Sequence, residues 1–297
     1  MSLLTNKLDT KAAITQRFHH EALNAAGVKM NVLRLDAIHP VVSGNKLFKL
    51  NFYIEEALRR NCDTIKTFGG FYSNHIAATA FAASVCGLKS IGVIRGQQPK
   101  DLTVTLEEAQ KDGMLLQFVS GDIYREIKRK EEHAENVFII PEGGYGNLGA
   151  KGAEHIFDLI NEDYNYIVCA VGTGTTLAAL INASTKEKII GISALKGAYS
   201  LSDEVAALVR GKDNYEIIHD YHFGGFGKHS PELLSFMRKV REENHLPTDI
   251  VYTSKALYGC LDLARKHHFK KDSDILFIHT GGLQGNCSLP ADSLPFL

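Results

Sequence analysis

A short β-rich run, a turn rich in glycine or hydroxyl residues, then a helix-like stretch: this unit recurs along almost the whole chain and narrows its fold more than any other feature. Strand-like runs stand at 64–68 (TIKTF), 90–94 (SIGVI), 114–119 (MLLQFV), 137–140 (VFII), 166–171 (YIVCAV), 188–195 (KIIGISAL) and 274–279 (DILFIH). Between them lie stretches with helical character. Residues 46–60 carry Leu47, Leu50, Ile54 and Leu58 at helical spacing, and 76–87 (IAATAFAASVCG) is a small-residue run suited to close packing. Further helices are expected at 102–111, 123–133, 177–184, 232–243 and 258–267. Strands alternating with helices imply an α/β fold of mainly parallel, doubly wound sheets. The units are too many for one sheet, so two domains are expected. Ligands in such folds bind beyond the carboxyl ends of the strands, which directs attention to the turns.

Four turns carry chemistry-bearing residues: SGNKLFK (43–49), FGGFYSNH (68–75), GTGTT (172–176) and HTGG (279–282). GTGTT joins a strand to a helix. Its small residues admit an anion to the helix-start N–H groups, and its threonines add hydroxyls. An ordinary tight turn with a threonine cap explains the same residues. The two familiar phosphate patterns fail: Leu177 stands where G-x-G-x-x-G needs its last glycine, and in GYGNLGAK (144–151) Ala150 stands where a P-loop lysine belongs. Lys46 follows a Gly-Asn turn at a helix start, an unfavourable end of the dipole for a cation. It reads either as a solvated lysine or as a desolvated, imine-forming nucleophile. Residues 223–229 (FGGFGKH) read equally as a loop over the site or as turn residues.

Charge excludes some partners. The 33 basic residues nearly balance the 34 acidic ones, so nothing draws the chain to nucleic acid or a membrane surface. The 13 histidines form no H-x-x-x-H or H-E-x-x-H pattern, so no metal site is expected. The 5 cysteines are odd in number and lack C-x-x-C spacing, which points to a reducing compartment. The N-terminal segment has no sustained apolar region and no run reaches membrane-spanning length, so a cytoplasmic location is expected.

SGNK, GGFYSNH, GTGTT and HTGG, in that order, resemble the pyridoxal-phosphate enzymes of the tryptophan synthase β-like fold (fold type II). Within them the chain looks like the 1-aminocyclopropane-1-carboxylate deaminase and D-cysteine desulfhydrase family, from about residue 32 to 282. The family's usual basic-Arg-acidic-Asp run is here LRLD (33–36), and its proline-containing entry segment is absent, the first proline being Pro40. The resemblance implies a larger cofactor-binding domain (1–47 with 150–297), a smaller α/β domain (48–149), a site in the cleft between them, and a homodimer. It implies that Lys46 is the Schiff-base lysine and Lys49 a structural neighbour. Asn74 matches the residue that hydrogen-bonds the pyridoxal 3-oxygen, and Gly172, Thr173, Gly174, Thr175 and Thr176 match the phosphate cup. Ser73 matches the serine beside the substrate carboxylate and reacting carbon, with Asn74 and His75 beside it on the substrate side. Tyr252 matches a catalytic tyrosine.

The end of the site facing the pyridine nitrogen separates the subfamilies. Typical cyclopropane deaminases carry Glu and Leu where this chain has Thr253 and Thr280, and desulfhydrase-like members carry hydroxyls at both places. A carboxylate at the ring nitrogen makes a stronger electron sink than a hydroxyl does. Opening a cyclopropane, with no α-proton to remove, needs the stronger one. The expected function is therefore a lyase that performs α,β-elimination on a small amino acid, most plausibly D-cysteine to pyruvate, sulfide and ammonia. Lys46 is the leading base for the α-proton. Cyclopropane deamination and racemisation on the same cofactor stay open, as does a binding protein without chemistry.

Overall fold

The structure, a computed structural model, describes residues 4, 8, 10–130, 135–290, 293 and 294. Its first part runs β1 (Ile14–Phe18), α1 (Glu21–Ala26), β2 (Lys29–Arg34), α2 (Asn45–Arg59), β3 (Thr64–Gly69), α3 (Asn74–Val85), β4 (Lys89–Arg95), α4 (Val104–Lys111), β5 (Met114–Val119), α5 (Gly121–Lys130) and β6 (Val137–Ile139). There follow α6 (Asn147–Glu154), β7 (Tyr166–Val171), α7 (Thr175–Ala183), β8 (Lys188–Ser193), α8 (Leu201–Ala206), β9 (Tyr215–Ile218), α9 (Pro231–Asn244), α10 (Thr253–Arg265) and β10 (Asp274–His279).

Two sheets result. A 6-stranded sheet has the order β1-β2-β10-β7-β8-β9, and a 4-stranded sheet has the order β5-β4-β3-β6. Every pairing is parallel except that of β1 with β2. β7 and β8 are covered on both faces, which is why YIVCAV and KIIGIS read as unbroken apolar runs. One core joins Leu47, Leu50 and Ile54 of α2 to Ala78 and Ala82 of α3 and Leu177 and Leu180 of α7. A second joins Met30, Val32, Val168, Ile190 and Phe277 of the larger sheet to Leu257 and Leu261 of α10.

The glycines of GYGNLGAKG serve packing. A β-carbon on Gly152 would lie 2.1 Å from the Phe48 carbonyl oxygen, and one on Gly149 would lie 2.1 Å from that of Gly144. α6 therefore lies against α2 at backbone distance, which only glycine permits.

Some elements differ from the sequence expectation. β1, α1, β2, β9, α6 and α8 were not foreseen. The edge pair β1–β2 carries Gln16, Arg17 and Asn31 among its partners, so its apolar alternation is faint. α7 begins at Thr175 and α10 at Thr253, each before its apolar periodicity sets in, because the first turn of each faces polar groups. α5 is described as far as Lys130, and the 131–133 part of the helix expected at 123–133 lies outside the described residues. Among the described residues no helix is long and apolar enough to cross a membrane.

Candidate active site

The four turns meet. SGNK opens α2, and GGFYSNH, GTGTT and TGG follow β3, β7 and β10 at their carboxyl ends. Asn45 N–H donates to the Thr280 carbonyl at 3.0 Å, and Gly282 N–H donates to Ser43 Oγ at 3.1 Å. Asn45 Nδ2 donates to Thr176 Oγ1 at 2.7 Å, tying the lysine turn to GTGTT. Asn74 Nδ2 donates to the Gly282 carbonyl at 3.3 Å, and its Oδ1 accepts from Gln284 N–H at 3.2 Å. Through Asn74 the 4-stranded sheet's helix α3 is joined to the 6-stranded sheet's β10 turn. Behind that turn, Arg34 holds Asp36 through Nε at 2.8 Å and Nη2 at 2.6 Å, and His279 Nδ1 lies 3.1 Å from Asp36 Oδ1.

Lys46 stands in the first turn of α2, its Nζ donating to Asn45 Oδ1 at 2.9 Å. Burial pulls its amine down to about 8, against the pull of the Asp249 carboxylate. A substantial neutral fraction at neutral pH is what a nucleophilic amine requires. Lys49, one turn on and buried, donates to the Gly143 carbonyl at 3.3 Å. Burial first, then the neighbouring Lys46 charge, holds its amine well below the usual range.

GTGTT has the features of an anion cradle. Gly174 caps α7 in the left-handed region (φ 79°) and supplies no side-chain cap. The first ladder bond runs from Ala178 N–H to the Gly174 carbonyl, so the N–H groups of Thr175, Thr176 and Leu177 precede the ladder. Thr173 and Thr175 add hydroxyls 3.2 Å apart. A phosphate fits these donors and this helix end, while Lys46 presents the amine an aldehyde would take up. The residues present thus suit pyridoxal phosphate at both ends.

Ser73 caps α3, its Oγ accepting from Ile76 N–H at 3.3 Å, which leaves the hydroxyl proton available to a carboxylate. His75 is placed differently from the expected substrate contact. It is buried behind the turn, with Nε2 2.8 Å from Thr67 Oγ1. Thr67 spends its own proton on the Ile140 carbonyl at 2.9 Å, so His75 Nε2 is the donor. Burial, Lys46 and Lys49 keep this imidazole neutral. Its visible work is to brace β3 against α3.

Tyr252 and Thr253 are arranged by a residue the sequence reading missed. Asp249, fully buried, accepts from the N–H groups of Val251 (2.9 Å), Tyr252 (3.1 Å) and Thr253 (2.7 Å). Thr253 Oγ1 also donates to Asp249 Oδ1 at 2.7 Å and accepts from Asp249 N–H at 2.8 Å. The single proton of the Thr253 hydroxyl is therefore committed to Asp249. This corrects the picture of Thr253 as a donor to a ring nitrogen; of the two expected hydroxyls, Thr280's is the one not bound to Asp249. The signal was an Asp just before a helix start, hidden because the apolar period begins only at 258. The Tyr252 ring covers Gly172, where a β-carbon would lie 2.9 Å from it. Burial, Asp249 and Glu142 push the Tyr252 phenol up, so it stays protonated.

A half-buried lysine at a helix start, tied through Asn45 to an uncapped helix end at the carboxyl ends of parallel strands, defines the site of a cofactor-dependent α/β enzyme. The chain belongs to the pyridoxal-phosphate dependent enzyme family, whose profile matches residues 14–281. The match begins before residue 32, where the resemblance was expected to start, and so includes the β1–β2 pair. A Thermotoga maritima protein provisionally named 1-aminocyclopropane-1-carboxylate deaminase is 32% identical, over 87% of this chain and 90% of its own length. A bifunctional D-cysteine desulfhydrase/1-aminocyclopropane-1-carboxylate deaminase of Arabidopsis thaliana is 29% identical, over 87% of this chain and 73% of its own length. The crystal structure of an ACC deaminase homologue, 29% identical, superposes with a TM-score of 0.76 over 92% of this chain and 90% of that one. The chain is thus a fold-type II pyridoxal-phosphate enzyme of the deaminase and desulfhydrase group.

Proposed function

We propose that this enzyme is a lyase carrying out α,β-elimination on a small amino acid, with D-cysteine converted to pyruvate, sulfide and ammonia. The observation that carries this reading is that Thr253 stands where a stronger electron sink would call for a carboxylate; its proton is held by Asp249, which leaves the Thr280 hydroxyl as the one for the ring nitrogen. The buried carboxylate of Asp249 is taken up by three backbone N–H groups and the Thr253 hydroxyl.

Bound pyridoxal phosphate supplies the sink for the charge left on the α-carbon when its proton departs. The chain's residues do the rest. Lys46, Asn74 and the 172–176 turn would hold the cofactor. Lys46 Nζ, with its amine near 8, accepts the α-proton. The Ser73 hydroxyl and the N–H groups at the start of α3 bind the substrate carboxylate. The Tyr252 hydroxyl, kept protonated, donates to the departing sulfur.

Incubation with D-cysteine, L-cysteine and 1-aminocyclopropane-1-carboxylate, with assay of sulfide, pyruvate and 2-oxobutyrate, tests the reading. Pyruvate and sulfide from D-cysteine are expected. 2-Oxobutyrate as the main product would replace it with ring-opening deamination, the activity named for the Thermotoga maritima relative. Inversion without a keto acid would replace it with racemisation. The division into domains 1–47 with 150–297 and 48–149, the homodimer and the cytoplasmic location belong to the same proposal; sedimentation tests the dimer.

A further inference from the structure

Lys255 lies in the first turn of α10 and is completely buried; the Asp249 carboxylate acts on its amine through charge, but among the described residues no acidic side chain pairs with it directly. Its Nζ donates to two carbonyls of one loop, His222 at 3.0 Å and Gly225 at 2.7 Å. Burying an amine is costly, so the contacts that retain it matter. The loop has bonds of its own, from Gly225 N–H to the His222 carbonyl at 3.0 Å, from Lys228 N–H to the Gly225 carbonyl at 3.1 Å and from Gly224 N–H to His222 Nδ1 at 3.0 Å, but its backbone is costly to fix. Phe223 (φ 50°), Gly224 (91°), Gly225 (116°) and Gly227 (67°) occupy the left-handed region, and glycines lose the most freedom on being fixed. Without Lys255 two inward carbonyls would lose their side-chain donor.

The loop reaches the site. Phe226, 59% exposed, sets its ring edge-on to Tyr252 at 5.9 Å, and the Tyr252 ring in turn covers Gly172. On the far side Phe223 packs edge-on against Tyr258 at 5.0 Å. The loop's two aromatic side chains thus bracket α10, and Lys255 pins the backbone between them.

We propose that Lys255 is a positioning residue: its buried amine fixes the 222–227 loop, and through Phe226 the loop holds Tyr252 over the phosphate turn. This rests on the cofactor site described above and not on the identity of the amino acid.

The test is hydrogen exchange with mass spectrometry on the pyridoxal-phosphate-loaded enzyme, wild type and Lys255→Met, which keeps the apolar stem and removes the donor. Amides of residues 222–228 should exchange at least about ten-fold faster in the variant, with β7 and β10 unchanged. In D-cysteine turnover KM should rise by more than kcat falls. Lys255→Gln, able to serve one carbonyl, should fall between the two. Unchanged loop exchange, or an equal rise throughout the chain, overturns the proposal. Should Lys255→Met fail to fold, Lys255→Gln decides. Wild-type loop amides already exchanging at free-chain rates would overturn it without any variant. An enzyme inert toward D-cysteine would sink the substrate reading and leave exchange to judge Lys255.

Discussion

The carbonyl oxygen of Thr280 occupies the place where a side chain on Gly44 would begin. A β-carbon on Gly44 would lie 1.7 Å from that oxygen, and the residue's φ is +67°. The turn carrying Lys46 and the turn after β10 therefore meet backbone to backbone. Gly44→Ala should destabilise the fold by about 1–3 kcal/mol from the backbone conformation alone, with the displaced Thr280 adding to it. Thermal unfolding of the cofactor-free protein measures this, and an unchanged midpoint would refute it.

Capture of the cofactor should follow the Lys46 amine. Only the neutral amine attacks an aldehyde, and burial brings this one to about 8. The rate at which the visible band forms on adding pyridoxal phosphate should climb about ten-fold per pH unit below that value and level off above it. A rate still climbing steeply to pH 10 would show an ordinary lysine. Lys46→Ala should form no band and show no turnover.

Asn45 is the small part joining amine to phosphate cradle. It accepts from Lys46 Nζ at 2.9 Å and donates to Thr176 Oγ1 at 2.7 Å. Asn45→Ala should weaken pyridoxal phosphate binding by about 1–2 kcal/mol, roughly ten-fold in Kd. Spectrophotometric titration of the cofactor-free protein reads it directly.

Asp249→Ala should have two effects. Leaving the buried N–H groups of Val251, Tyr252 and Thr253 without their acceptor should cost at least about 1–3 kcal/mol in stability. Asp249 also raises the Lys46 amine, so its removal should move the plateau of cofactor capture to lower pH. A plateau that moves upward, or stays, would refute the electrostatic link.

Asp36 provides an acid-side test. Burial pushes its carboxyl up, but His279 and Arg34 outweigh burial and hold it below its ordinary value. A depressed carboxyl contributes stability that is present above its unfolded value and lost as pH falls through the folded one. Asp36→Asn should cost about 1–3 kcal/mol near neutrality by removing the charge that Arg34 is paired with, Gln16 remaining as its acceptor, and it should flatten the decline between about pH 4 and the folded value. Denaturant midpoints measured across that range decide it.

Strongly periodic, buried elements were legible in the residues. MLLQFV, YIVCAV and DILFIH form strands over the ranges their apolar runs mark. SGNK, GGFYSNH, GTGTT and TGG do converge, because turns at the carboxyl ends of parallel strands share one side of a sheet. Elements with weak or polar patterning were not legible. β1 is an exposed edge strand, and the first turn of α10 carries its signal in Asp249, outside the apolar period.

The residues by themselves determined the alternating fold and marked the turns that come together, since these are written in short-range pattern; they left Lys46 open between a solvated lysine and an imine-forming one. Tertiary structure alone decided which groups keep a free donor. His75 is turned to Thr67, the Thr253 proton is given to Asp249, and Lys255 is spent on the carbonyls of a distant loop. A hydroxyl or an amine is the same atom wherever it stands in a sequence; which acceptor it meets depends on chain segments that only folding brings within 3 Å.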